Sequence, residues 1–113
     1  MTLTLPVNKF FFNQVSNKEL ETDFRAIKPY WINKLIKNEY KKLIIEDPYQ
    51  IIDLYSKFGY NLFKDFEHVI FKNGYSNNSP SIKTKFELIS LTNPNEPTCM
   101  GYGIFFAIKI SYI

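Results

Sequence analysis

The sequence predicts an α+β fold, a small mixed β-barrel with short helices packed outside it. Three observations carry this reading. Two strand–helix units open the chain and a well-capped helix follows them. From Phe66 onward the apolar spacing changes from the helical period of about 3.6 to the strand period of about two. The strands are far apart in sequence, so their pairing must be non-local, which suits a closing sheet.

The elements follow in order. Residues 2–5 read as a short apolar strand, and Pro6 as the opening of a helix to about Asn17, with Val7, Phe10, Phe11, Gln14 and Val15 on one side. Ser16-Asn17-Lys18-Glu19 is a polar turn. Residues 20–27 alternate as a strand, with Glu21, Asp23 and Arg25 on one face and Thr22, Phe24 and Ala26 on the other. Three charges on one face look at solvent or line a polar cleft. Pro29 denies Lys28 the helical basin and suits a first helical turn, so the strand stops there and a helix starts. Its apolar stripe is Trp31, Ile32, Leu35, Ile36 and Tyr40, while Asn33, Lys34, Lys37 and Lys41 face away.

Leu43-Ile44-Ile45 is too short to assign. Asp47-Pro48-Tyr49-Gln50 is the best local signal: an acceptor at the N-cap, proline at the first helical position and glutamine at the third, a capping box. Ile51, Leu54, Tyr55 and Phe58 give the buried stripe of a helix over about 48–58, and Gly59 stands where a C-terminal cap belongs. Residues 66–72 are a strand ended by Asn73-Gly74, which tolerates positive φ. Residues 81–91 are a second strand, with Ile82, Phe86 and Leu88 inward and Lys83, Lys85 and Glu87 outward. Residues 104–113 are apolar on nearly both faces and suit a central or barrel-closing strand.

Composition narrows the function classes. At 113 residues this is one domain, and 18% aromatic content lets few, large side chains build its core. The net charge is only +3, yet five lysines against one glutamate put +4 between residues 28 and 42. Such a patch attracts phosphate, and a solvated helix face reads the same way. One cysteine, Cys99, excludes an intramolecular disulfide and a zinc cluster; with one histidine, His68, no metal and no cofactor are expected. The N-terminus lacks a signal peptide and no apolar run has membrane-spanning length, so a cytoplasmic protein that binds no membrane is expected.

Arg25 is the only arginine and Trp31 the only tryptophan; the other thirteen basic residues are lysine. A guanidinium grips a carboxylate, phosphate or base edge with two parallel bonds, which an ammonium cannot copy. Arg25 either holds a ligand or clamps a carboxylate of the fold, and Trp31 is either core or a stacking platform.

Several of these segments together resemble the ASCH-domain proteins, and more closely their small phage- and bacteria-encoded subgroup. The match runs through Leu5-Pro6-Val7, a polar turn with Lys18, Asp23-Phe24-Arg25 and Ile27-Lys28-Pro29-Tyr30-Trp31-Ile32. It continues through Lys72-Asn73-Gly74-Tyr75, Thr84-Lys85-Phe86-Glu87-Leu88 and Phe106-Ala107-Ile108-Lys109-Ile110. Residues 38–62 stand outside it as a helical insertion. The resemblance implies a PUA-like barrel over residues 1–113, with a cleft that binds single-stranded RNA or a nucleoside or nucleotide. Arg25, Lys28, Tyr30, Asn73 and Tyr75 are the ligand-binding candidates.

Some members of that family are amidohydrolases acting on N4-acetylcytidine through a turn lysine, a threonine and a later glutamate. Lys18, Thr22 and Glu87 match those roles here, although the family's Gly-Lys-Lys turn is replaced by Asn17-Lys18-Glu19. A third class is a phage-type inhibitor that binds a host protein, for which Tyr49, Tyr55, Phe58, Tyr60 and Phe63 of the insertion offer aromatic anchors.

Overall fold

The structure, a computed structural model, describes residues 1–113. Strands β1 (Thr2–Val7), β2 (Thr22–Ala26), β3 (His68–Asn73), β4 (Ser81–Leu91) and β5 (Phe105–Ser111) form one mixed sheet in the order β1-β3-β4-β5-β2. The sheet is open, with β1 and β2 at its edges. Short helices complete the fold: α1 (Lys9–Ser16), α2 (Pro29–Leu35), α3 (Asn38–Lys41) and α4 (Ile51–Phe58). The chain divides into two compact units, one of Met1–Asp23, Asp65–Leu88 and Lys109–Ile113, the other of Phe24–Lys64 and Ile89–Ile108.

In the first unit β1 runs parallel to β3, with Leu3 opposite Val69 and Leu5 opposite Phe71. All four are buried, because alternate residues of a strand turn to the same face. β3 pairs antiparallel with β4. Thr84 of β4 is fully buried and donates its hydroxyl to the Val69 carbonyl at 2.9 Å, which offsets the cost of burying it. Lys83, Lys85 and Glu87 face outward as expected, and Ile82, Phe86 and Leu88 are half-buried.

The start of the chain departs from expectation. Pro6 belongs to β1 rather than to a helix, which an edge strand tolerates because one row of its amides has no ladder partner. The helix begins at Lys9 instead, where Asn8 Oδ1 accepts a hydrogen bond from the Phe11 amide at 3.0 Å. Of the stripe expected on α1 only Val15 is buried, and Phe10 is 64% exposed. The polar face expected for residues 20–27 is likewise divided. Glu21 is exposed and Asp23 is buried. No buried side-chain polar atom is left without a hydrogen bond, so Asp23 is satisfied inside the protein.

In the second unit Pro29 occupies the first turn of α2, and Ile32, Leu35 and Ile36 are buried. The expected stripe to Tyr40 is interrupted. Ile36 is extended (φ −95°, ψ 139°) and forms a β-bridge with Phe63. The Lys37 amide donates to the Leu62 carbonyl at 3.1 Å and the Lys64 amide to the Leu35 carbonyl at 2.9 Å. The helix therefore stops at Leu35, and α3 forms separately.

The capping box is present. Asp47 Oδ1 accepts from the Tyr49 amide at 2.8 Å, and Gln50 Oε1 gathers the amides of Ile45, Glu46 and Asp47. The first turn, Pro48–Gln50, is a 3₁₀ helix, after which α4 runs to Phe58 and Gly59 follows at φ +60°. Ile51 is fully buried, worth about 1.5–3 kcal/mol of hydrophobic stabilisation for such a side chain. β5 is an interior strand, with Phe106, Ile108 and Ile110 buried and Lys109 exposed.

Candidate nucleic-acid interface

A series of cations and aromatic rings runs from the end of β2 along α2, within the second unit. The Arg25 guanidinium carbon lies 4.8 Å from the centroid of the Trp31 ring. Trp31 meets Tyr30 edge to face, with centroids 4.9 Å apart and planes at 88°. Lys34, one helical turn after Tyr30, holds its ammonium 5.5 Å from the Tyr30 ring centroid. Guanidinium, indole, phenol and ammonium thus succeed one another on one short segment. Each cation–π contact is worth only about 0.5–1 kcal/mol at an exposed site. Such contacts orient side chains more than they hold the fold together. Tyr30 is 57% exposed, Lys28 is exposed, and Trp31 is half-buried.

The C-terminal end of α2 gathers more positive charge. Because the Lys37 amide turns to Leu62, the Asn33 carbonyl loses its helical donor. Two ammonium groups take the place: Lys64 Nζ at 3.1 Å and Lys41 Nζ at 3.4 Å. Lys41 also donates to Asn33 Oδ1 at 2.8 Å. The partial negative charge at a helix C-terminus favours cations there. Burial first, then the charges of Lys41 and Lys34, hold the Lys64 pKa below its ordinary value. Neither Lys34, Lys41 nor Lys64 pairs with a carboxylate.

Beside this cluster is a groove of about 280 Å³. Its apolar lining is Pro29, Ile32, Ile44, Ile45 and Pro48; Asn33 and Lys41 border it, as do Glu46 and Asp47.

Of the ligand-binding candidates, Arg25, Lys28 and Tyr30 come together on this segment of the second unit. Asn73 and Tyr75 belong to the first unit, where Asn73 ends β3, Gly74 follows at φ +122° and Tyr75 is 90% exposed. The catalytic candidates also belong to the first unit. Lys18 is exposed at φ +60°, Thr22 opens β2 half-buried, and exposed Glu87 accepts a hydrogen bond from the Ser111 hydroxyl. No hydrogen bond or ion pair joins Lys18, Thr22 and Glu87 to one another. His68 is half-buried on β3 and Cys99 is exposed.

Sequence reasoning missed Asn33, Lys41 and Lys64 as members of a site. The lysine excess of residues 28–42 included Lys41 and gave no signal for Asn33. Nothing pointed to Lys64, which reaches Asn33 across 31 positions.

No group of three or more His, Cys, Asp or Glu side chains is arranged to hold a metal ion, and no helix is long and apolar enough to cross a membrane. Comparison with family models, with curated proteins and with solved structures returns no match.

Proposed function

We propose that the chain is an RNA-binding module that receives a single strand on the α2 segment. The observation that carries this is the run of contacts in which two adjoining rings, Trp31 and Tyr30, are flanked by the cations Arg25 and Lys34. Single strands are bound by aromatic and guanidinium planes that stack on bases, combined with cations that follow the backbone. Tyr30 supplies an exposed ring, Arg25 a planar cation held 4.8 Å from the centre of an indole ring, and Lys28 and Lys34 the charge for phosphates. The order of motifs supports a place among the ASCH proteins, and the mixed sheet with short helices is compatible with a PUA-like fold.

Fluorescence anisotropy with a labelled single-stranded RNA tests the reading. Affinity should fall with salt, each neutralised phosphate contributing a slope of about −0.7 in log K against log salt. Tyr30→Ala should weaken binding by about 1–3 kcal/mol, the loss of one stacked base. Salt-independent affinity that survives Tyr30→Ala would sink the proposal.

A second reading, an inhibitor directed at a host protein, is favoured by one observation. Ile45 is 81% exposed, and Leu43, Tyr49 and Tyr60 of the same insertion are exposed too. Absence of RNA binding at low salt would move weight to it. The amidohydrolase alternative needs a lysine working beside an acid, and exposed Lys18 has no such partner.

A further inference from the structure

We infer that Lys34, Lys41 and Lys64 form a phosphate site for a single nucleotide, whose base occupies the adjoining apolar groove. The inference rests on the nucleic-acid reading of α2 for the bearer of the phosphate, not for the phosphate itself.

The fold alone does not call for three cations here. One ammonium satisfies the orphaned Asn33 carbonyl, and Lys64 does so at 3.1 Å. Lys41 adds a longer bond to the same oxygen, and Lys34 adds charge with no hydrogen bond to the protein. Like charges gathered with no carboxylate in ion-pair contact repel one another, and burial first, then this repulsion, lowers the pKa of Lys64. An anion from outside the chain relieves it. Each ammonium carries three donors. Lys64 spends one on Asn33 and Lys34 spends none on a protein acceptor, so donors remain for phosphate oxygens.

The groove fixes the other end of the ligand. Asn33 and Lys41 belong both to the cluster and to the groove border, so the two are continuous. Ile32, Ile44, Ile45 and Pro48 give the groove an apolar lining suited to the face of a base. At about 280 Å³ it lies just below the range of about 300–1,000 Å³ that holds drug-sized ligands, which is room for one nucleoside and not for a strand. Glu46 and Asp47 on the border repel a second phosphate and leave acceptors for an amino group or a sugar hydroxyl. Asp47 already accepts from Tyr49, which makes Glu46 the freer of the two.

The test uses the full chain, labelled with ¹⁵N, and records amide shifts on titration. The probes are a purine and a pyrimidine nucleoside monophosphate, the corresponding nucleosides, and inorganic phosphate. The monophosphates should move the signals of Asn33, Lys64 and Ile45 and bind more tightly than either the nucleosides or phosphate. Lys34→Gln removes a charge and no hydrogen bond, and should weaken monophosphate binding roughly tenfold, as expected for one charge-assisted contact. Lys41→Gln should do at least as much.

Unmoved signals at Asn33 and Lys64, or wild-type affinity in both variants, would overturn the site. Phosphate binding as tight as that of the monophosphates would overturn the role of the groove. Failure of RNA binding with monophosphate binding intact removes the strand reading and leaves this site standing. RNA binding lost in Tyr30→Ala, with no monophosphate binding in the wild type, removes this site alone.

Discussion

The two units treat their large apolar side chains differently. In the first, Leu3, Leu5, Val69 and Phe71 alternate along paired strands, and every one is buried. In the second, Ile51 and Leu62 are fully buried while Leu43, Ile45, Tyr49 and Tyr60 from the same stretch are exposed. A ladder allows this discipline because its register commits alternate residues to one face, and a slip would expose them all. Helices of four to eight residues joined by tight turns have no such constraint. Each buries a stripe and leaves the remainder outside. The first unit's own exceptions fit the cause: Phe10 lies on a helix, Tyr75 in a turn, and Met1 and Ile113 outside the strands.

The largest effect should come from breaking the ladder core. Phe71→Ala deletes a fully buried ring opposite Leu5 and should cost about 3–5 kcal/mol in a urea unfolding series. Monophosphate shifts at Asn33 should persist under conditions where that variant stays folded. A loss below about 1 kcal/mol would mean that the ladder is less tightly packed than its burial indicates.

The second unit depends more on its caps. Asp47→Ala removes the acceptor of the Tyr49 amide and should cost about 0.5–2 kcal/mol. Thermal melting gives the value, and far-ultraviolet circular dichroism would register any shortening of α4. An unchanged melting temperature would show that the turn is held by Gln50 alone.

Tyr112 offers a smaller, pH-dependent test in the first unit. Its hydroxyl donates to the Leu20 carbonyl at 2.6 Å, and burial first, then the charges of Glu19 and Glu21, raise its pKa above the ordinary value. The folded state therefore keeps the proton longer than the unfolded chain, which releases it near pH 10. The contribution to stability is whole below about pH 10 and disappears as pH rises through the raised folded value. Tyr112→Phe should lose about 0.5–1.5 kcal/mol at neutral pH, with the gap to wild type closing at strongly alkaline pH. A gap that widens there would reverse the assigned sign.

The smallest effect sharpens the comparison most. Ile45→Ser changes an exposed side chain and should alter stability by no more than about 0.5 kcal/mol, while weakening monophosphate binding through the groove. A large stability loss would show that Ile45 is held by the fold.

Much of the architecture was legible because it depends on neighbours in sequence. Ser81–Leu91 alternates from its start through Leu88, Asp47 to Gln50 caps its own helix, Pro29 starts α2, and Asn73-Gly74 ends β3. Arg25, Lys28 and Tyr30 were found together because only five positions separate the outer two. The tertiary structure decided the rest. Pro6 is a strand residue because its strand lies at an edge, and only the sheet order reveals an edge. Asp23 is buried although its pattern reads as a solvated face, since hydrogen-bonding partners, not alternation, determine whether a carboxylate can leave water. α2 stops at Leu35 because Ile36 pairs with Phe63, and that stop frees the Asn33 carbonyl which Lys41 and Lys64 then reach. No local propensity encodes a meeting across 31 positions; it exists only once the chain has folded back on itself.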